Sequence, residues 1–216
     1  MSAVCLKKQK LPKMRENEMS LIRSFDYKDE QEVISLWNKC LTRDPITSEI
    51  FHKKVLLDPN FDSKLCLVAE EKGEILGFIL GMQRKYPYEE RGLEPERGWI
   101  SVMFVHPEYR RRGIGRDLVL AIEQIMQENG RKNITLGGYS PNYFFPGPDK
   151  DVYEKSIIFF KALGFEELGE AVGMDRVLYD FTIPQEILDI ERNLNGRGYK
   201  CMPFEKRYTL PLLQFL

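Results

Sequence analysis

Residues 105–115 read VHPEYRRRGIG, and this stretch decides how the middle of the chain folds. Residues 99–105, which lead into it, are mostly apolar on both alternating faces, and this pattern predicts a central strand covered on both sides. Beyond it, Ile114, Leu118 and Ile122 recur at helical spacing, and Gly130 is placed to cap the helix that they predict. The stretch is therefore the turn between a buried strand and an amphipathic helix.

The residues of this turn suit it to binding an anion. The first amides of a helix have no intrahelical partner, and the helix dipole places roughly half a positive charge at that end. Gly113 and Gly115 let a ligand approach the backbone and permit the positive φ angles that point successive amides inward. The three consecutive arginines at 110–112 add charge-assisted contacts. The turn therefore predicts a phosphate-binding site.

Two well-known phosphate loops fit the turn less well. A P-loop needs a lysine and a hydroxyl residue after its second glycine, where this chain has Arg116 and Asp117. A dinucleotide-binding fingerprint needs a third glycine where this chain has Leu118.

The overall composition argues against other classes of partner. The chain has 216 residues, and its 32 basic residues nearly cancel its 33 acidic ones, so no global field favours nucleic acid or anionic lipid. The four cysteines are too scattered for a metal motif or a disulfide framework, and we expect no metal site. Since no apolar stretch is long enough for a signal peptide or a membrane span, we expect a cytoplasmic protein without membrane contact.

The chain divides into three predicted parts. Residues 1–18 are polar and lysine-rich and predict a flexible tail, residues 19–183 form the main domain, and residues 184–216 form an extension with a helix at 184–194 and a short strand at 199–203. In the main domain the patterns predict strands at 21–25, 65–69, 75–82, 99–105, 134–138 and 175–182, and helices at 29–37, 47–57, 115–130 and 151–163. This order predicts an α/β (α+β) fold of three layers, with a mixed, mostly antiparallel sheet flanked by helices. The apolar end of the extension docks on the main domain, contacts another subunit of a homodimer, or opens a second domain.

The arrangement of these motifs resembles a known family. The pattern Arg110-x-x-Gly113-x-Gly115, after a strand ending Val105-x-Pro107, is similar to the signature of the GNAT acetyltransferase superfamily. Residues 163–165, Leu-Gly-Phe, resemble the later helix-to-strand junction of the same superfamily, and the resemblance covers about residues 21–182. It implies an N-acetyltransferase that uses acetyl-coenzyme A, without a metal, to acetylate a primary amine of a small molecule or a protein. It also implies that the amine attacks the thioester directly in a ternary complex.

The resemblance also implies which residues hold the coenzyme. Backbone groups of Phe104 and Val105 would bind the pantetheine arm, because the strand before the loop splays from its neighbour in this superfamily. The turn would cradle the pyrophosphate through Arg110, Arg111, Arg112, Gly113, Ile114, Gly115 and Arg116.

The catalytic residues do not carry over in the same way. Where the superfamily often has a tyrosine as general acid, this chain has Phe160, so Tyr153 and Tyr143 are the candidate acids. Trp99 lies where some members carry a glutamate, which leaves Glu94, Glu96 or a chain of water molecules as candidate bases. The aromatic and proline-rich loop at 137–148 suits an acceptor wall as well as it suits a rigid loop packed on the core.

Three functional hypotheses remain open at this point. The first is the N-acetyltransferase, the second is a non-catalytic, regulatory acetyl-coenzyme A-binding module, and the third is a protein-interaction domain that keeps only the fold.

Overall fold

The computed structural model describes residues 2–8, 21–173, 179–203, 205–208, 211–212 and 215. The chain consists of two compact units, Met1–Gly173 and Met174–Leu216, and each is described here by itself.

The first unit is built around one sheet. Its strands are β1 (Ser2–Lys8), β2 (Leu21–Ser24), β3 (Cys66–Glu71), β4 (Glu74–Met82), β5 (Arg97–Val105), β6 (Asn133–Leu136) and β7 (Glu166–Val172). Its helices are α1 (Glu30–Cys40), α2 (Ser48–Phe51), α3 (Ile114–Glu128) and α4 (Glu154–Ala162). The strands lie in the order β2-β3-β4-β5-β6-β1-β7, and every neighbouring pair is antiparallel except β5 and β6. The mixed, mostly antiparallel sheet that the sequence predicts is therefore confirmed.

Helices cover both faces of this sheet. On one face, α1 and α2 bury Trp37 and Phe51 against Phe78 and Phe104 of the central strands. On the other face, α3 and α4 bury a second cluster, to which α3 contributes Ile114, Leu118, Ile122 and Met126 at the predicted helical spacing. The result is the predicted three-layer arrangement, with the turn at residues 106–113 at the edge between β5 and α3.

The structure differs from the prediction at the N-terminus, where part of the expected flexible tail is an interior strand. β1 pairs with β6 on one side and with β7 on the other. Val4 and Leu6 are 1% and 0% exposed, and Lys8, 5% exposed, pairs with Glu123 of α3. Four apolar residues beside two lysines are too few to show a strand in the sequence, because the pairing that orders them is supplied by distant strands. Residues 9–18 of the predicted tail lie outside the described residues.

Two other elements of the first unit also differ from the predictions. The helix expected at 47–57 is an α-helix only over Ser48–Phe51 and continues as one π-helical turn over His52–Leu56. β7 was not anticipated, since nearly all of its EELGEAV side chains are exposed and give no buried alternation. The strand expected at 175–182 falls partly outside the described residues, and Tyr179 and Asp180 form a turn.

The second unit contains α5 (Gln185–Gly196), which agrees with the helix predicted at 184–194 and begins directly after Pro184. The side chains of Ile187 and Ile190 are 49% and 55% exposed. Residues 199–203, expected as a short strand, have no regular secondary structure.

Candidate active site

β5 and β6 separate part of the way along the sheet. They pair in parallel from Arg97 with Asn133 to Ile100 with Leu136, and the Gly137 amide donates to the Ile100 carbonyl at 2.8 Å. β5 continues to Val105 along β4, but the described residues show no further ladder pairing with β6. This leaves a gap beside the second half of β5.

A bulge marks the start of this gap. In the β4–β5 ladder Gly81 pairs with Ile100 and Leu80 pairs with Val102, so Ser101 is the extra residue of β5. Bulges bend the strand and increase its local twist. The bulge therefore accounts for the separation of β5 from β6 directly after Ile100.

The carbonyl of Val105 lies at the outer end of the gap. The amide of the next residue, His106, donates to the Leu76 carbonyl of β4 at 2.8 Å. Because the backbone groups of successive strand residues point to opposite sides, the N–H and C=O of Val105 point away from β4. Its carbonyl accepts hydrogen bonds from Arg110 Nε at 3.1 Å and from Cys40 Sγ at 3.4 Å. The side chain of Phe104 lies in the core, 4% exposed, stacked on Phe78.

The turn after β5 points free amides toward one place. Arg111 has φ 67° and Gly113 has φ 91°, with Arg112 between them. Such alternation between left-handed and other backbone conformations makes a concave nest of N–H groups. The first helical bond runs from the Asp117 amide to the Gly113 carbonyl, and in the described part of the chain no acceptor is bonded to the amides of residues 111–116. The geometry is that of an anion site at a helix N-terminus.

The two glycines of the turn are needed for different reasons. Gly113 is needed for its backbone angle, since a Cβ there would meet only Asp117 Oδ2 at 3.6 Å. Gly115 is needed for space, because a Cβ would lie 3.0 Å from Met103 Cε and 3.4 Å from Phe159 Cζ. Because Gly115 has no Cβ, the start of α3 lies close against β5 and α4.

The four arginines have separate surroundings. Arg110 is engaged with the Val105 carbonyl, and Arg112 forms an ion pair with Glu71 at 3.0 Å. The side chains of Arg111 and Arg116 form no hydrogen bond with any described residue. They are therefore the two most available to a phosphate beside the nest.

The structure places Phe160 in an apolar aromatic cluster. Its ring is 5% exposed and packs edge-on against Phe159 and Phe165 at centroid distances of 5.1 and 5.2 Å. Phe159 is the residue of α4 that lies against Gly115. Neither ring has a proton to donate, so an acid must come from elsewhere.

The structure places the two candidate tyrosines in different surroundings. Tyr153 is the N-cap residue of α4, and its hydroxyl accepts a hydrogen bond from the Arg43 amide at 3.4 Å and donates to Asp44 Oδ2 at 3.5 Å. Burial is the main cause that raises the pKa of Tyr153. Tyr143 is 41% exposed, and its carbonyl accepts a hydrogen bond from Lys54. Tyr153 thus connects α4 to the loop after α1, whereas Tyr143 lies beside the π-helical turn.

The carboxylates considered as bases are already paired. Burial favours a higher pKa for Glu94, but hydrogen bonds from Arg84 at 2.7 Å and Arg97 at 3.1 Å outweigh it and lower the pKa. Glu96 forms an ion pair with Lys132. A carboxylate stabilised in this way is a weak proton acceptor. The pKa of Asp44 is raised, chiefly by burial, so its carboxylate is the stronger proton acceptor.

The sequence analysis did not single out two polar residues, Asp44 and Ser101. Asp44 gave no signal, because its contact with Tyr153 joins residues more than a hundred positions apart. Ser101 did give a signal, since it is the only polar residue in the WISVMFV run at 99–105.

The described residues contain no group of three or more histidine, cysteine, aspartate or glutamate side chains that could hold a metal ion. None of the helices in the described part of the chain is long and apolar enough to span a membrane.

Comparisons with known proteins show what the chain is similar to. The sequence model of the acetyltransferase (GNAT) family matches residues 30–145. An acetyltransferase of Sodalis glossinidius is 36% identical over 116 residues, which cover 53% of this chain and 72% of that protein. An acetyltransferase of Photorhabdus laumondii is 35% identical over 117 residues, with coverage of 53% and 72%. The crystal structure of a GCN5-related N-acetyltransferase from Sphaerobacter thermophilus shares the fold, with a TM-score of 0.57 at 19% identity over 81% of this chain and 53% of that one. The chain thus spans about half the length of that relative.

Proposed function

Because the chain belongs to the GNAT acetyltransferase family and is an acetyltransferase, we propose that it transfers the acetyl group of acetyl-coenzyme A to a primary amine of a small molecule or a protein. The observation that carries the proposal is the nest of free amides at residues 111–116 beside the unpaired half of β5. The family uses acetyl-coenzyme A, and these residues fit its pyrophosphate and its extended arm.

We assign the binding of the coenzyme to two parts of the chain, the turn after β5 and the free edge of β5. The amides of residues 111–116 and the side chains of Arg111 and Arg116 bind the pyrophosphate. The edge of β5 between Ser101 and Val105 binds the pantetheine arm in the gap, with the backbone of Val105 at its outer end. The backbone groups of Phe104, which the resemblance also assigned to the arm, point toward Phe78 of β4 instead. The coenzyme supplies an activated acyl group, and the protein supplies its position.

The transfer is a direct attack in a ternary complex. The amine nitrogen forms a bond to the acyl carbon, the carbon–sulfur bond breaks, and the amine gives up a proton to water, which is one of the candidate bases. We assign the proton for the leaving sulfur to Tyr153 rather than Tyr143, because the hydroxyl of Tyr153 is part-buried and its helix also carries Phe159 against Gly115. Asp44, bonded to Tyr153, is placed to attract a cationic amine.

The first test is the binding of acetyl-coenzyme A to the whole chain. A saturating concentration should raise the melting temperature, since a ligand that binds only the folded state stabilises it. No shift would refute the coenzyme site.

The second test is an amine library assayed by release of free thiol. Turnover should depend on one class of acceptor. Coenzyme binding without turnover on any amine would leave the donor site in place and refute the acceptor part of the proposal.

A further inference from the structure

Ser101 carries a polar group that the arrangement described so far does not use. Its side chain is 5% exposed, at the bulge where β5 leaves β6. Within the described ranges, the buried side-chain polar atoms that lack any hydrogen-bond partner are Ser101 Oγ and Thr135 Oγ1. Buried hydroxyl groups are normally bonded, and each exception calls for an explanation such as a ligand.

The two hydroxyl groups lie in different local settings of the sheet. Ile100 packs in the cluster under α3 and Val102 packs in the cluster under α1 and α2, so the bulge at Ser101 interrupts the regular alternation of side chains along β5. Thr135 lies in a regular part of β6 between Ile134 and Leu136, which both pack in the cluster under α3, so it points to the opposite face, toward α1 and α2.

The two positions differ in their relation to the gap. Thr135 is in register with Trp99, where β5 and β6 are still paired. Ser101 is the first residue of β5 beyond that pairing, at the inner end of the gap. Val105, beside the nest, is four residues further on, roughly 13 Å along an extended strand.

We propose that the Ser101 hydroxyl donates a hydrogen bond to the carbonyl oxygen of the thioester when the acyl end of the coenzyme lies in this gap. The inference rests on the proposed function, because it requires the arm to run inward from the nest along β5. A serine hydroxyl with no internal partner can turn to donate to a ligand oxygen without breaking another bond.

This contact strengthens during the reaction. When the amine nitrogen bonds to the acyl carbon, the second electron pair of the carbon–oxygen double bond moves to oxygen, which becomes negatively charged. Ser101 keeps its proton and stabilises that charge. The pair then returns, the carbon–sulfur bond breaks, and the sulfur takes a proton from the general acid. Donors aimed at a developing oxyanion lower the barrier more than they tighten ground-state binding.

The test compares two ligands that differ only in the acyl group, acetyl-coenzyme A and coenzyme A. Ser101→Ala should bind acetyl-coenzyme A about threefold to tenfold more weakly than the unaltered chain and bind coenzyme A equally well. Thr135→Val removes the other unpartnered hydroxyl at nearly constant volume and should change neither affinity. On an accepted amine, Ser101→Ala should lower kcat about 100-fold and leave the KM of the amine unchanged.

The outcomes separate this inference from the proposed function. Retained coenzyme A binding shows that Ser101→Ala is folded. An unchanged affinity of Ser101→Ala for acetyl-coenzyme A, or an equal loss for both ligands, overturns the role of Ser101. Failure of the unaltered chain to bind either ligand refutes the coenzyme site instead.

Discussion

The ion pair between Lys8 and Glu123 tests whether the first residues of the chain are part of the sheet. Lys8 Nζ lies 2.8 and 3.0 Å from the two Glu123 carboxylate oxygens and 5.6 Å from the centre of the Phe165 ring. The side chains are 6% and 1% exposed. Both charges are therefore removed from water, and each depends on the other for compensation.

Replacing one partner should cost far more than replacing both. Lys8→Met leaves a buried carboxylate without its cation, and such a change costs about 3–5 kcal/mol. For a chain of this size that is a fall in Tm of roughly 6–20 °C. The double variant Lys8→Met with Glu123→Leu should lie within about 1 kcal/mol of the unaltered chain, because no unpaired charge remains. Lys7→Met is the matched control on the neighbouring, less buried residue.

The free energy of unfolding that Lys8→Met removes should also depend on pH. Burial raises the pKa of Glu123, and Lys8 only partly offsets it. Without Lys8 the folded-state pKa rises further above the unfolded value of about 4.3. A raised carboxyl pKa favours folding at low pH and loses that contribution as pH rises, so Lys8→Met should cost most near pH 8 and progressively less toward pH 4. Urea unfolding at both pH values measures this. A cost below about 1 kcal/mol at pH 8, equal to that of Lys7→Met, would refute the placement of β1 between β6 and β7.

Three further predictions concern the active site. Gly113→Ala and Gly130→Ala place a side chain at similar positive φ angles, 91° and 79°, at opposite ends of α3. Each variant should therefore lose about 1 kcal/mol of unfolding free energy. Only Gly113→Ala should weaken the binding of acetyl-coenzyme A, as measured by calorimetry. Tyr153→Phe should lower kcat at least tenfold and Tyr143→Phe should leave it within about twofold; the reverse ranking in steady-state assays would move the acid to Tyr143. Phe160→Tyr buries a hydroxyl in an apolar cluster and should lower stability by about 1–3 kcal/mol in urea unfolding without changing coenzyme affinity.

Much of the proposed coenzyme site was predictable because the backbone turn has a local cause. The VHPEYRRRGIG stretch contains both the glycines that its backbone angles require and the apolar spacing of the helix that follows. Short-range patterns of this kind depend on neighbours in the sequence and can be interpreted without a fold. The same is true of Phe160, whose missing hydroxyl is a matter of composition alone.

The residues proposed to act at the acyl end of the coenzyme were not predictable in the same way. The contact of Tyr153 with Asp44 and the position of Ser101 at the start of the gap depend on how α4, the loop after α1 and the two strands come together. Nothing in the sequence near Asp44 distinguishes it from the other carboxylates of the chain.

The sequence by itself determined the family, the alternation of strands and helices, and the glycine- and arginine-rich turn proposed to bind the coenzyme, because each follows from residues adjacent in the chain. Only the tertiary structure decided that β1 lies inside the sheet, that β5 separates from β6 at Ser101, and which arginines beside the nest are free. These features arise from pairing between distant segments, where the partner rather than the local residue pattern supplies the stabilising contacts.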